Sequence, residues 1–180
     1  MKTLFLSFAL IMSSFLSFAQ IQSATLTASG LTCSMCSKSI FKALEKLASV
    51  QSVEVDIDQS VFQIQFKDNA HVQPDDIKKA VTEAGFAIAS LHIVARFPKL
   101  NLAKDAHNIY AAATYHLLNE GNQAPNGDVA FRIVDKGFVP DAAFKQYKKM
   151  TNMHCIETGK LASCCPKDAS IGSRVYHILF

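Results

Sequence analysis

The chain has 180 residues, a formal net charge of +3, no tryptophan and an apolar fraction of 49%. A charge this mild argues against a nucleic-acid binder or a strongly basic membrane patch, and so apolar a composition argues against a disordered chain. Five cysteines (Cys33, Cys36, Cys155, Cys164 and Cys165) are an odd number, which excludes a complete set of internal disulfides.

Residues 1–19 read as a secretory signal peptide. Lys2 precedes an apolar run from Leu4 to Phe18, and Ser17-Phe18-Ala19 places small residues where a signal peptidase reads them. The run of about 15 residues is short for a spanning helix, which disfavours an uncleaved anchor. Cleavage after Ala19 removes Lys2 and leaves about 160 residues, enough for one compact domain or two small ones. The expectation is an exported protein, periplasmic or secreted, with no membrane association after cleavage.

Ala24, Leu26 and Ala28 alternate with Thr25, Thr27 and Ser29, the pattern of a half-buried strand, and Gly30 ends it. The loop Gly30-Leu31-Thr32-Cys33-Ser34-Met35-Cys36 follows. From Ser37 onward Ile40, Leu44 and Leu47 mark one face of a helix, while Lys38, Lys42 and Lys46 mark another. The cysteine pair therefore lies at a helix N-terminus, where unsatisfied N–H groups and the dipole favour thiolates. Two thiolates suit a soft metal such as Cu(I), and the same pair can also cycle as a disulfide.

Val53, Val55 and Ile57, then Phe62, Ile64 and Phe66, alternate with polar residues around Asp58-Gln59-Ser60, predicting a β-hairpin. Pro74-Asp75-Asp76 opens a second helix with its stripe at Ile77, Ala80, Val81 and Ala84, and Gly85 ends it. Phe86 to Val94 returns to strand. The order βαββαβ is the ferredoxin-like arrangement, with the cysteine pair on its first strand-to-helix loop.

Gly-x-Thr-Cys-x-x-Cys in that loop, with Ala84-Gly85-Phe86 before the last strand, resembles the heavy-metal-associated domain family over residues 24–94. This family includes copper chaperones, modules of copper-transporting ATPases and a periplasmic mercury-binding protein. Leu31 stands where the family usually has a methionine used for core packing, a role leucine fills equally well. The resemblance implies that Cys33 and Cys36 hold one soft cation, Cu(I) foremost, with Hg, Zn and Cd as other soft-metal candidates. Thr32 replaces the acid often found in zinc-preferring relatives, which favours Cu(I) over Zn(II). Met35 is a weaker soft ligand or an exposed adaptable side chain. Phe86 is either core packing or a neighbour of the metal loop. The lysine face is either solvated or a dock for another metal-trafficking protein with exposed thiolates. A thioredoxin-like redox module is the alternative, but Pro74 followed by two acids reads as a helix start.

Beyond Phe97-Pro98-Lys99, read as a linker, a second small domain at 96–180 is expected, α+β or β-rich. Residues 102–117 fit both helix and strands. Tyr115-His116-Leu117-Leu118 echoes Tyr176-His177-Ile178-Leu179 in a strand-like C-terminus, and both histidines read as ordinary strand residues. Pro125-Asn126-Gly127-Asp128 is a turn, Val129–Val134 a strand, and Pro140-Asp141 starts a helix through Lys149. Met150, Met153, His154, Cys155, Cys164 and Cys165 form a second soft-ligand cluster. It reads first as a disulfide from Cys155 to Cys164 or Cys165, and alternatively as a second metal site. No nucleophile elbow, phosphate loop or zinc-protease motif is present, so the expectation is a carrier and not an enzyme. The expected domains are a signal peptide at 1–19, a metal-binding α+β domain at 22–95 and a C-terminal domain at 96–180.

Overall fold

The computed structural model describes residues 20–31, 34–110, 113–121, 127–163, 165 and 172–180. The signal-peptide reading, Thr32, Cys33 and Cys164 fall outside these residues. Strand β1 (Gln20–Ser29) is followed by α1 (Ser34–Glu45), β2 (Val50–Asp56), β3 (Val61–Phe66), α2 (Pro74–Glu83) and β4 (Ala87–Phe97). This is the predicted βαββαβ unit. Then come β5 (His107–Tyr110), β6 (Ala113–Leu117), β7 (Gly127–Ile133), α3 (Asp141–Tyr147), a 3₁₀ turn (Lys148–Met150), α4 (Cys155–Thr158) and β8 (Val175–Leu179). The region that also fitted a helix forms two strands.

All eight strands join one sheet in the order β2-β3-β1-β4-β7-β8-β6-β5. β4 is shared: one edge pairs antiparallel with β1 and the other antiparallel with β7, where Leu91–Phe97 face Ile133–Gly127. Phe97, read as part of a linker, is the buried end of β4. Its ring meets Tyr110, Tyr115 and Phe131 at centroid distances of 4.8, 5.6 and 6.1 Å.

One face of the βαββαβ part is covered by the stripes of α1 (Ile40, Leu44) and α2 (Ile77, Val81). These pack with Leu26, Phe62, Ile64, Leu91 and Ile93 in the main core. Pro74 sits in the first turn of α2, where its missing N–H costs no helical bond, and Asp75 and Asp76 sit at the positive end of the helix dipole. The C-terminus of α2 closes as a Schellman turn. Gly85 N–H donates to Thr82 O at 3.0 Å and Phe86 N–H to Val81 O at 3.1 Å, with Gly85 at φ 90°. Phe86 is half-buried against the core from this position. Ile57, expected inward, is 54% exposed: β2 ends at Asp56, whose carboxylate accepts the Gln59 N–H at 3.0 Å and starts the turn.

The aromatic face continues across the C-terminal strands through Phe131, Tyr115 and Tyr176. Their opposite face is covered by α3 and α4, with Ile156 packed on Leu118, Val134 and Val139. Strands β6 and β8 are buried on both sides, which removes the alternation by which a half-exposed strand is recognised, whereas β7 keeps it. Asp75 of α2 ties the two parts together. It accepts from Arg174 Nε at 2.7 Å and from the Tyr176 hydroxyl at 3.1 Å.

Candidate metal centre

Gly30, at φ 84°, turns the chain out of β1, and Leu31 tucks against the main core. This is the packing role expected of that position. α1 begins at Ser34, six residues before Ile40, the first apolar residue of its stripe; the buried residue of its first turn is the polar Ser37, which carries no apolar signal. Cys36 is therefore half-buried in the first turn of α1, among N–H groups that lack an intrahelical acceptor. No acidic residue lies in that turn, so the positive end of the dipole is left to the thiol. Met35 is 67% exposed on the outer side of the turn, and its carbonyl accepts from Ser39 Oγ at 3.0 Å. Lys38, Lys42 and Lys46 are all exposed.

The second soft-ligand cluster is divided by the structure. His154 is exposed and pairs with Glu157 at 3.5 Å, and Met150 packs with Ile156 and Tyr147. Met153, Cys155 and Cys165 share a small apolar cluster with Leu161 and Val175. Sγ of Cys155 turns towards the sheet, where it faces His177 Nε2 at 3.4 Å, His116 Nδ1 at 3.6 Å and His107 Nε2 at 4.0 Å.

His116 and His177 lie in strands β6 and β8, as read from the sequence; both face Cys155, and so does His107, which the sequence did not single out. The register explains their meeting. His107 pairs with His116 across β5 and β6, and His116 pairs with His177 across the parallel strands β6 and β8. The repeated Tyr-His pair is the sequence trace of this row. Tyr115 and Tyr176 enter the aromatic core on one face while His116 and His177 line the other. Burial holds the His107 and His116 rings below the usual imidazole range. The other rings of the row reinforce this, and Asp105 opposes it. Both rings are neutral at neutral pH and keep a lone pair for a cation.

The family model for the heavy-metal-associated domain matches residues 25–87. The chain is 34% identical over 86 residues to the mercuric transport protein periplasmic component of Acinetobacter calcoaceticus, covering 48% of this chain and 93% of that protein. To the protein of the same description from Shigella flexneri it is 36% identical over 87 residues, covering 48% of this chain and 93% of that one. Among solved structures, oxidized MerP from Ralstonia metallidurans CH34 is 30% identical, covers 38% of this chain and 94% of its own, and aligns with a TM-score of 0.35.

Proposed function

Because this chain belongs to the heavy-metal-associated domain family through residues 25–87, we propose that it binds a soft metal ion through Cys33 and Cys36 and hands it on or buffers it outside the cytoplasm. The observation that carries this reading is Cys36 in the first turn of α1, on the first strand-to-helix loop of a βαββαβ sheet. Cu(I) is the ion we favour. Two thiolates complete a linear Cu(I) unit with one negative charge, which the helix dipole and Lys38 offset, and Thr32 supplies no carboxylate for a harder ion.

Transfer would proceed by ligand exchange, partner thiolates replacing one cysteine at a time. The exposed Lys38, Lys42 and Lys46 face would meet an acidic partner of this kind. Residues 1–19 would direct export, residues 22–95 would carry the metal, and residues 96–180 would form the appended part. Among the described residues no helix is long and apolar enough to cross a membrane.

The test is Cu(I) uptake by the reduced full chain under a competing chelator. Wild type should retain one tightly held equivalent more than Cys33→Ser/Cys36→Ser. Equal retention by wild type and double variant would refute the reading. Hg(II) is the second reading, favoured by the two mercuric transport relatives. It prevails if the loop holds Hg(II) but loses Cu(I) to the chelator. Thiol–disulfide exchange is a separate alternative, read by the reduction potential of the pair and by insulin reduction.

A further inference from the structure

The strongest unassigned feature is the row of histidines beneath Cys155. We propose that Cys155, His107, His116 and His177 form a second metal site for a late first-row transition-metal ion, copper or zinc. It is distinct from the loop at Cys33 and Cys36 and does not rest on that loop's function.

The distances fit a shared ion. A tetrahedral ion about 2.3 Å from sulfur and about 2.1 Å from nitrogen sets sulfur and nitrogen about 3.6 Å apart. His177 and His116 stand at 3.4 and 3.6 Å from Sγ, and His107 at 4.0 Å. The donor atoms of His107, His116 and Cys155 all lie within 4.8 Å of one another. His107 is the half-buried member, so it forms the rim through which an ion enters and the ligand that closes last.

The orientation of the rings is more telling than their proximity. Each histidine has its far nitrogen against an oxygen acceptor. His177 Nδ1 lies 2.6 Å from Asp135 Oδ1, His116 Nε2 lies 3.1 Å from Asp105 Oδ1, and His107 Nδ1 lies 3.1 Å from the Asp105 carbonyl. A proton on each far nitrogen satisfies these oxygens and leaves the three near nitrogens as lone pairs on the side of Cys155 Sγ. This is the arrangement by which outer carboxylates fix metal-binding histidines. Asp105 holds two of the rings from a left-handed backbone, φ 60°, a conformation that aspartate tolerates better than most residues.

One thiolate with three imidazoles is a borderline donor set that suits copper and zinc and is poor for calcium or magnesium. Binding would release the thiol proton to solvent. Asp105 and Asp135 would offset a divalent charge from behind the rings.

The test uses the full chain carrying Cys33→Ser/Cys36→Ser, so that the loop contributes nothing, with Co(II) as the probe metal. One equivalent should bind and give a thiolate-to-cobalt charge-transfer band, and added Zn(II) or Cu(I) should bleach it. Cys155→Ser on that background should abolish the band. Asp105→Asn keeps a residue that tolerates the left-handed backbone, so the fold should persist by near-ultraviolet circular dichroism. Its Co(II) affinity should fall about 10- to 100-fold. The proposal is overturned by any of four results: no Co(II) uptake, a band indifferent to Cys155→Ser, a band that neither Zn(II) nor Cu(I) displaces, or thiol mapping of protein from its own compartment that finds Cys155 in a disulfide with Cys164 or Cys165.

Discussion

Within the loop, Cys36 and Met35 lie side by side in sequence and differ in surroundings. Cys36 is half-buried at the start of α1, whereas Met35 points outward at 67% exposure. A thioether held in solvent on one side gains little from an ion on the other. Met35→Leu should therefore leave Cu(I) affinity within about twofold of wild type, as read by chelator competition, since the cysteines supply the soft donors. A loss of tenfold or more would make Met35 a ligand. Residue-scale chemistry was legible only in part. The CxxC pair announced itself by spacing, and Cys155 stood out as a soft donor. Its histidine neighbours did not, because they lie 48, 39 and 22 residues away along the chain.

Elements were readable where one face is wet. The stripes of α1 and α2 and the alternation of β3 follow the 3.6 and 2.0 residue periods, so their existence and order are plain in the sequence. The start of α1 was less plain, because the buried residue of its first turn is the polar Ser37. The end of α2 was plainer at Gly85, since its left-handed backbone (φ 90°) demands a residue without a side chain. Gly85→Ala should destabilise the protein by about 1–2 kcal/mol, seen as a lower urea midpoint with an unchanged slope. No neighbouring atom lies within 4 Å of the added Cβ, so the loss would be conformational and Cu(I) stoichiometry should not change. In β6 nearly every residue is buried, and there the helix and strand patterns could not be told apart; β8, equally buried, was legible as a strand from its β-branched and aromatic residues.

At the scale of the molecule the ion pair between Asp75 of α2 and Arg174, the residue before β8, is the link whose strength can be titrated. Burial alone would raise the Asp75 carboxyl. Hydrogen bonds and charge from Arg174 and Lys78 outweigh it and hold the group down at about 2. A folded value below the unfolded one, about 3.9, stabilises the protein above that pH. The contribution is lost as pH falls from about 4 through about 2. Asp75 is one-third exposed, so solvent screening limits its contribution to about 1 kcal/mol. Asp75→Asn should therefore lower stability at pH 7, and its difference from wild type should narrow between pH 4 and pH 2 in urea unfolding curves. A constant gap would mean that the charge is not what matters. Because β4 belongs to both parts of the sheet, unfolding should be one cooperative transition by circular dichroism and tyrosine fluorescence alike. Two resolved transitions would show that the parts unfold separately.

By itself the sequence determined the βαββαβ order, the loop carrying Cys33 and Cys36, and the family to which residues 25–87 belong. These are local properties, written in periodicity and spacing that neighbouring residues carry. Only the tertiary structure decided that the later strands extend the same sheet from β4, and that Cys155 faces His107, His116 and His177 and not His154. Both depend on strand register between distant segments. A shift of one residue there would send the histidines to the opposite face, and nothing in their immediate sequence records which face they take.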